Sequence, residues 1–393
     1  MRRGVLLGGL LTLWFASVGL AGVAAPEIAA TLEPAPEKSW EEAVENAGRI
    51  HYDPKHSWVQ ELWLLGRYHG QYFHADGPAD EVDGWEHRRL RLGAQGKFFN
   101  KLTLHAQAIS GTDFEPRYNG FSELWAQWAF SDAVALTVGQ QKHRFTHERT
   151  TSSRYLNTME RSLLVNMMGL DYTPAVTLSG KVGRLAYYTG FFSNSTDTDM
   201  GRAFTEFEAG WSYLASLTWD LGQALNTDSA YLNVGFLHSE ATPNATLLNR
   251  YENAFSSALI LTDGPCSLIA EGLYGVGSAN GDAAGLMLQP GYFITDRLQV
   301  VARYQLAGST SATGLSAQRR YERPAGLNRG DLYQAGYAGL NFYIAKHRAK
   351  VMAGVEYARL GGDECWTAMT GVRIFWGPHS SGPFPMAKVL KAR

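Results

Sequence analysis

The chain has 393 residues, with 35 Lys and Arg against 37 Asp and Glu, a formal charge of −2, and 42 Gly, 19 Tyr, 18 Phe and 11 Trp. That near-balance leaves no global basic excess for nucleic acid, and two cysteines are too few for a disulfide-stapled scaffold. Beyond the first residues, no segment has the roughly 18 uninterrupted apolar positions of a membrane helix.

The chain begins Met1-Arg2-Arg3, continues with an apolar run from Val5 to Leu20, and reaches small residues at Ala21 to Ala25. A charged start, a short apolar core and an Ala-rich zone predict a cleaved export signal over 1–25. Residues 26–57 are polar and predict a loose periplasmic lead-in. Within it, Ser39 and Glu42 are spaced to cap a short helix through Ala47.

From Trp58 a period of two takes over. In Arg88 to Lys97, one face carries Leu90, Leu92 and Ala94, and the other carries Arg89, Arg91, Gln95 and Lys97. Side chains alternate faces along a strand, so this pattern places apolar residues against lipid and polar ones against water. Sixteen such segments follow, beginning near Trp58, Glu86, Lys101, Phe121, Val134, Met167, Val182, Phe204, Ala230, Phe255, Cys266, Ala284, Leu298, Tyr333, Ala349 and Trp366. Tight breaks (Asn100-Lys101, Ser131-Asp132, Thr262 to Pro265, Thr295 to Arg297, Lys346-His347) alternate with long ones (His74 to Trp85, Lys142 to Asn166, Ser239 to Ala254, Ala307 to Leu332). The predicted fold is all-β: an antiparallel up-and-down transmembrane β-barrel over 58–376, with about 16 strands, short periplasmic turns and long extracellular loops.

Aromatic residues near the tight turns (Phe98, Phe99, Phe130, Trp219, Phe293, Tyr343, Phe375, Trp376) predict a girdle at the periplasmic-side headgroups. This register sets Cys266 and Cys365 on opposite rims, beyond disulfide reach, as two free thiols. A basic tail occupies 377–393.

The long break from Lys142 to Asn166 concentrates charge. Lys142, Arg144, Arg149, Arg154 and Arg161 stand there against Glu148 and Glu160, so this segment is the candidate constriction and anion-binding loop. Arg67, Arg89, Arg91, Lys97 and Arg303 are candidate lumen-lining cations, with Glu61, Glu123, Glu271 and Glu356 on the same inner face. His143 and His147 are four apart but lie in a loop, without a metalloprotease motif, and no metal site is assigned. No catalytic constellation and no cofactor motif is visible.

Several stretches resemble the phosphate-selective porin O and P family: Arg88 to Gly93 through Phe99, Val138 to Lys142 through Met159 to Ser162, Ala270 to Tyr274, Pro290 to Thr295, Ala302 to Tyr304 and Gly339 to Tyr343. Where that family commonly has an aromatic and then a Pro, this chain reads Gln141-Lys142-His143-Arg144. The resemblance implies a 16-stranded barrel, usually a homotrimer, in the outer membrane of a Gram-negative-type bacterium. Its partners would be the lipid bilayer and small anionic solutes, phosphate among them. Sugars or other organic solutes on the same barrel are the alternative.

Overall fold

A computed structural model describes residues 39–195, 204, 209–240, 251–277 and 281–379. The expected export signal and most of the basic tail lie outside the described residues.

The fold is a closed barrel of sixteen antiparallel strands. A short helix α1 (Trp40–Glu45) and a strand β1 (Arg49–Tyr52) come first. The first half of the wall is β2 (Val59–Asp76), β3 (Glu81–Phe98), β4 (Leu102–Ile109), β5 (Phe121–Ser131), β6 (Val134–Lys142), β7 (Tyr172–Val182), β8 (Leu185–Ser193) and β9 (Trp211–Asp220). The second half begins with β10 (Ser229–Ser239), β11 (Asn253–Asp263), β12 (Cys266–Val276), β13 (Ala283–Phe293) and β14 (Leu298–Ser309). A two-residue hairpin, β15 (Leu315–Ser316) with β16 (Arg329–Gly330), stands in the seventh outer loop. The wall ends with β17 (Leu332–Ala345), β18 (Ala349–Leu360) and β19 (Asp363–Trp376). Each strand pairs with its sequence neighbour, and β19 closes on β2 from Trp366↔Asp76 to Trp376↔Gly66.

Closure needs close approach. A Cβ on Gly66 would lie inside the Trp376 ring, so the seam requires glycine there. Below Trp376 the edge of β2 would be unpaired, and β1 takes it over. The Leu64 amide donates to the Gly48 carbonyl and the Gly377 amide to Ala47, while Arg49 to Tyr52 pair with Glu61 to Trp63. The residues before Trp58 are thus folded against the wall from α1 onward.

Two sequence expectations change. The break at His74 to Trp85 is not a long loop, because β2 and β3 keep their ladder to Asp76↔Glu81. Its polar residues mark a hairpin standing in water, not the end of a strand. The last outer connection, Gly361-Gly362, is also tight, with both glycines at positive φ. In the girdle, Phe99, Phe130 and Trp219 are exposed toward lipid, but Tyr343 and Phe375 are buried and face inward. Their parity along β17 and β19 is that of the lumen face. Cys266 and Cys365 are both free, the first exposed and the second buried. Intact mass with and without reduction, after alkylation, is therefore expected to show two labelled thiols under both conditions.

Candidate functional site

The third outer loop, residues 143–171, turns inward and crosses the lumen. Three lumen-facing cations hold its backbone. Arg373 donates to the Ser153 and Thr158 carbonyls (3.3 and 3.2 Å), Lys350 to Leu156 (2.6 Å) and Arg303 to Glu160 (2.8 Å). Asn341 donates to the Asn157 carbonyl at 2.9 Å. Carbonyls carried away from water need such partners, so these wall residues are the condition for an inward fold. A short helix α2 (His147–Thr150) is capped by Thr146, whose hydroxyl accepts from the Arg149 amide. The His147 and Glu148 amides donate to the Glu271 carboxylate at 2.6 and 3.2 Å. Glu148 in turn accepts from the Ser162 amide and hydroxyl (2.9 and 2.5 Å), tying the two limbs of the loop together.

On one side the loop packs as a protein core. Phe145, Met159, Leu163, Leu164, Met167 and Met168, several of them on helix α3 (Leu163–Met167), join Leu214, Leu237, Ile260, Leu273 and Met287 of the wall in one buried cluster. Each such side chain contributes about 1.5–3 kcal/mol on burial. Along the arc from β9 to β13 the loop thus covers the inner face, where apolar contacts alternate with polar anchors such as Glu271 and Ser256, whose hydroxyl donates to the Phe145 carbonyl.

On that other side an irregularity in β3 matters most. Arg89 pairs with His69 and His87 with Gly70, which leaves Arg88 as an extra residue between them. A bulge of this kind re-aims side chains, and both Arg88 and Arg89 turn inward. Arg88 clamps Glu160 with two parallel bonds, at 2.7 and 3.1 Å. Arg91 donates to the Tyr172 hydroxyl at 2.9 Å, and the ring of Tyr172 also has Arg149 and Lys142 beside it, at 5.1 and 6.0 Å.

These groups border a cavity of about 860 Å³ between β3–β5, the third loop and the seventh loop. Its lining has eight arginines (Arg88, Arg89, Arg91, Arg149, Arg161, Arg319, Arg320, Arg323) against Glu160, Asp171, Glu322 and Glu356. The seventh loop is anchored by Tyr321, which donates to Glu86 at 2.7 Å and packs on Phe73, and by an Arg320–Glu86 ion pair. Burial would raise the Glu160 carboxyl, but Arg88, Arg89 and Arg320 outweigh that and hold it well below the ordinary carboxylate range. Arg161 is lowered to about 10 by burial and stays charged at neutral pH. Burial takes His143 and His147 to about 4, so both are neutral there. His143 stacks on Phe192 at 4.3 Å, whereas His147 lies beside Ile269 and Met287.

The candidate residues therefore separate into groups. Arg149, Arg161, Arg89 and Arg91 line the cavity. Lys142 and Arg144 border a small adjoining recess with Glu123 and Trp125. Arg67 donates to the Ser153 hydroxyl at 2.9 Å. Arg154 reaches the other end of the loop, donating to the Pro378 carbonyl at 2.9 Å with its guanidinium over Phe375. Lys97 is exposed near the tight-turn rim, away from the cavity. Arg303 is sealed between Glu356 (2.7 Å) and Glu148 (3.4 Å) and serves to hold the loop. The cation missed by simple alternation is Arg88. The signal was available, since two consecutive arginines in one strand force either a bulge or a charge into lipid, at about 2–4 kcal/mol near the midplane.

Glu322 adds a pH dependence. Burial first, and then Glu356 nearby, raise its carboxyl to about 8. In the unfolded chain it releases its proton near 4.5; the folded protein retains that proton, so the docking of this loop weakens as pH rises between 4.5 and about 8. Above that window a new negative charge borders the cavity that Arg319, Arg320 and Arg323 also line. Anion permeability relative to cation is expected to fall as pH passes 8, and the fall should vanish in Glu322→Gln; reversal potentials at pH 6 and 9 check both.

Residues 64–219 match the family model of phosphate-selective porin O and P, which bears out the resemblance over that stretch. No curated protein matches the chain by sequence. Among solved structures, the barrel is similar to OprB of Pseudomonas putida (TM-score 0.58, 11% identity, 80% of this chain and 94% of that one). It is also similar to Salmonella typhi OmpF in complex with daunomycin (TM-score 0.55, 11%, 80% and 98%). A third is the outer membrane channel DcaP of Acinetobacter baumannii (TM-score 0.54, 13%, 80% and 97%). The fold is that of an outer-membrane porin, and its setting is the outer membrane of a Gram-negative cell.

Proposed function

We propose, for a chain with the porin O and P signature over 64–219 on an outer-membrane porin barrel, that it is a passive diffusion channel preferring anions and not an enzyme. The observation that carries this reading is the arginine excess in the lumen cavity. Among the described residues, the hydrogen-bond partners of Arg89, Arg91 and Arg161 are His69, the Tyr172 hydroxyl and the Glu148 and Thr151 carbonyls, so no bonded carboxylate there cancels their charge. Cationic side chains at a constriction favour anions, and arginine's planar fork suits oxyanions such as phosphate. Lys142, Arg144 and Arg154 extend positive charge beside and below the cavity. A homotrimer in the bilayer is the assembly we propose.

Reversal potentials of the purified protein in planar bilayers, under chloride and phosphate gradients, test this. Chloride preference with phosphate reducing the chloride current is the expected result. A cation-preferring pore would remove the anion reading, and absence of conductance from folded protein would remove the channel.

A further inference from the structure

The cavity is not uniformly polar, and its second wall narrows the class of solute. Against the cations Arg89, Arg91 and Arg161 stand Ile109 at the top of β4, Phe121 at the start of β5 and Leu170 of the third loop. Ile109 and Phe121 are half-buried, so their side chains still present surface. We propose that the cavity is a binding site for an organic anion: a carboxylate attached to a planar or branched apolar body. The carboxylate would take the guanidinium forks of Arg89 and Arg91, and the body would lie on Ile109 and Phe121.

The reasoning is one of complementarity. An inorganic anion such as phosphate is polar on every side and gains nothing from an apolar wall. A volume of about 860 Å³ falls in the range of about 300–1,000 Å³ typical of sites for organic ligands, which combine apolar lining with a few placed polar groups. A carboxylate also matches these cations geometrically, because it accepts two parallel bonds from one guanidinium.

This inference rests on the anion reading above, and one experiment separates them. Chloride current through the full-length protein in planar bilayers is titrated in turn with acetate, benzoate and inorganic phosphate. Benzoate is expected to block at a concentration about tenfold lower than acetate, since burying about 60 Å² of ring is worth roughly that factor. Phe121→Ser and Ile109→Thr should each bring benzoate toward acetate, while Arg89→Gln should weaken the block by both. Equal block by acetate and benzoate in a channel that still prefers chloride overturns the organic-anion site and leaves the anion reading intact. Phosphate blocking more strongly than benzoate overturns it as well. A channel without chloride preference and without benzoate block overturns both.

Discussion

Replacing Arg89 and Arg91 together by glutamine is expected to lower the chloride-to-potassium permeability ratio at least tenfold. Both cations border the cavity, and neither is hydrogen-bonded to a carboxylate. A unit charge about 7 Å from a permeating ion, at an effective dielectric constant near 20, changes its energy by about 2 kcal/mol. Removing two such charges halves the arginine excess of the cavity lining, from eight against four acids to six against four. Arg88→Gln should behave differently. It strips the two-bond partner from a half-buried carboxylate, at a cost below the roughly 3–5 kcal/mol of a fully buried pair, and the third loop is expected to loosen. In that case thermal stability falls and the current becomes noisy, whereas Arg88→Gln/Glu160→Gln recovers a quiet channel. Selectivity unchanged in Arg89→Gln/Arg91→Gln would show that the cavity is not where ions are sorted.

Leu164→Asp is expected to raise single-channel conductance severalfold. Leu164 is fully buried in the lumen cluster and lies so close to the wall that a Cβ on Gly285 would come within 2.9 Å of its Cγ. A carboxylate there is set among the buried apolar side chains of the cluster. Its desolvation, several kcal/mol in effective terms, is set against a loop whose remaining apolar contacts are worth about 1.5–3 kcal/mol per side chain. Expulsion of the loop toward the outer mouth relieves the buried charge and clears the filled side of the lumen. Leu164→Met conserves volume and should cost less than about 1.5 kcal/mol, with normal conductance. If Leu164→Asp folds and conducts like the parent, the loop is not held by this core.

The barrel was legible in sequence because water and lipid impose a period of two on each strand. The strand starts fall within a few residues of those read from patterning, except β3, which begins earlier than expected, and β7 and β9, which begin later. The third loop hides its end before β7 for a physical reason. Met167, Met168 and Leu170 are apolar because they pack against the wall from inside, and so they resemble the start of a strand. The same packing erases contrast along β11 and β12, where Ile260 and Ile269 face inward yet are as apolar as residues on the lipid face. The basic character of the third loop was plain in its composition, but its division of labour was not. Arg303 and Arg154 carry the same charge as Arg89, and only their partners across the lumen show that they hold structure together.

The half-filled lumen has a consequence for how such a protein changes over time. Its circumference is divided into two arcs under different selection. Inward positions from β9 to β13 answer to the loop that covers them, so among homologues the apolar ones, Leu214, Leu237, Ile260, Leu273 and Met287, should covary in volume with Leu163, Leu164 and Met168. Inward positions of β3 to β5 that anchor no loop, Arg89 and Arg91 among them, answer mainly to the solute. They can drift, gain or lose charge, and retune the channel without disturbing the scaffold. A lineage shifting from one nutrient to another would therefore record the shift on one side of its barrel, while the other side preserved its ancestry.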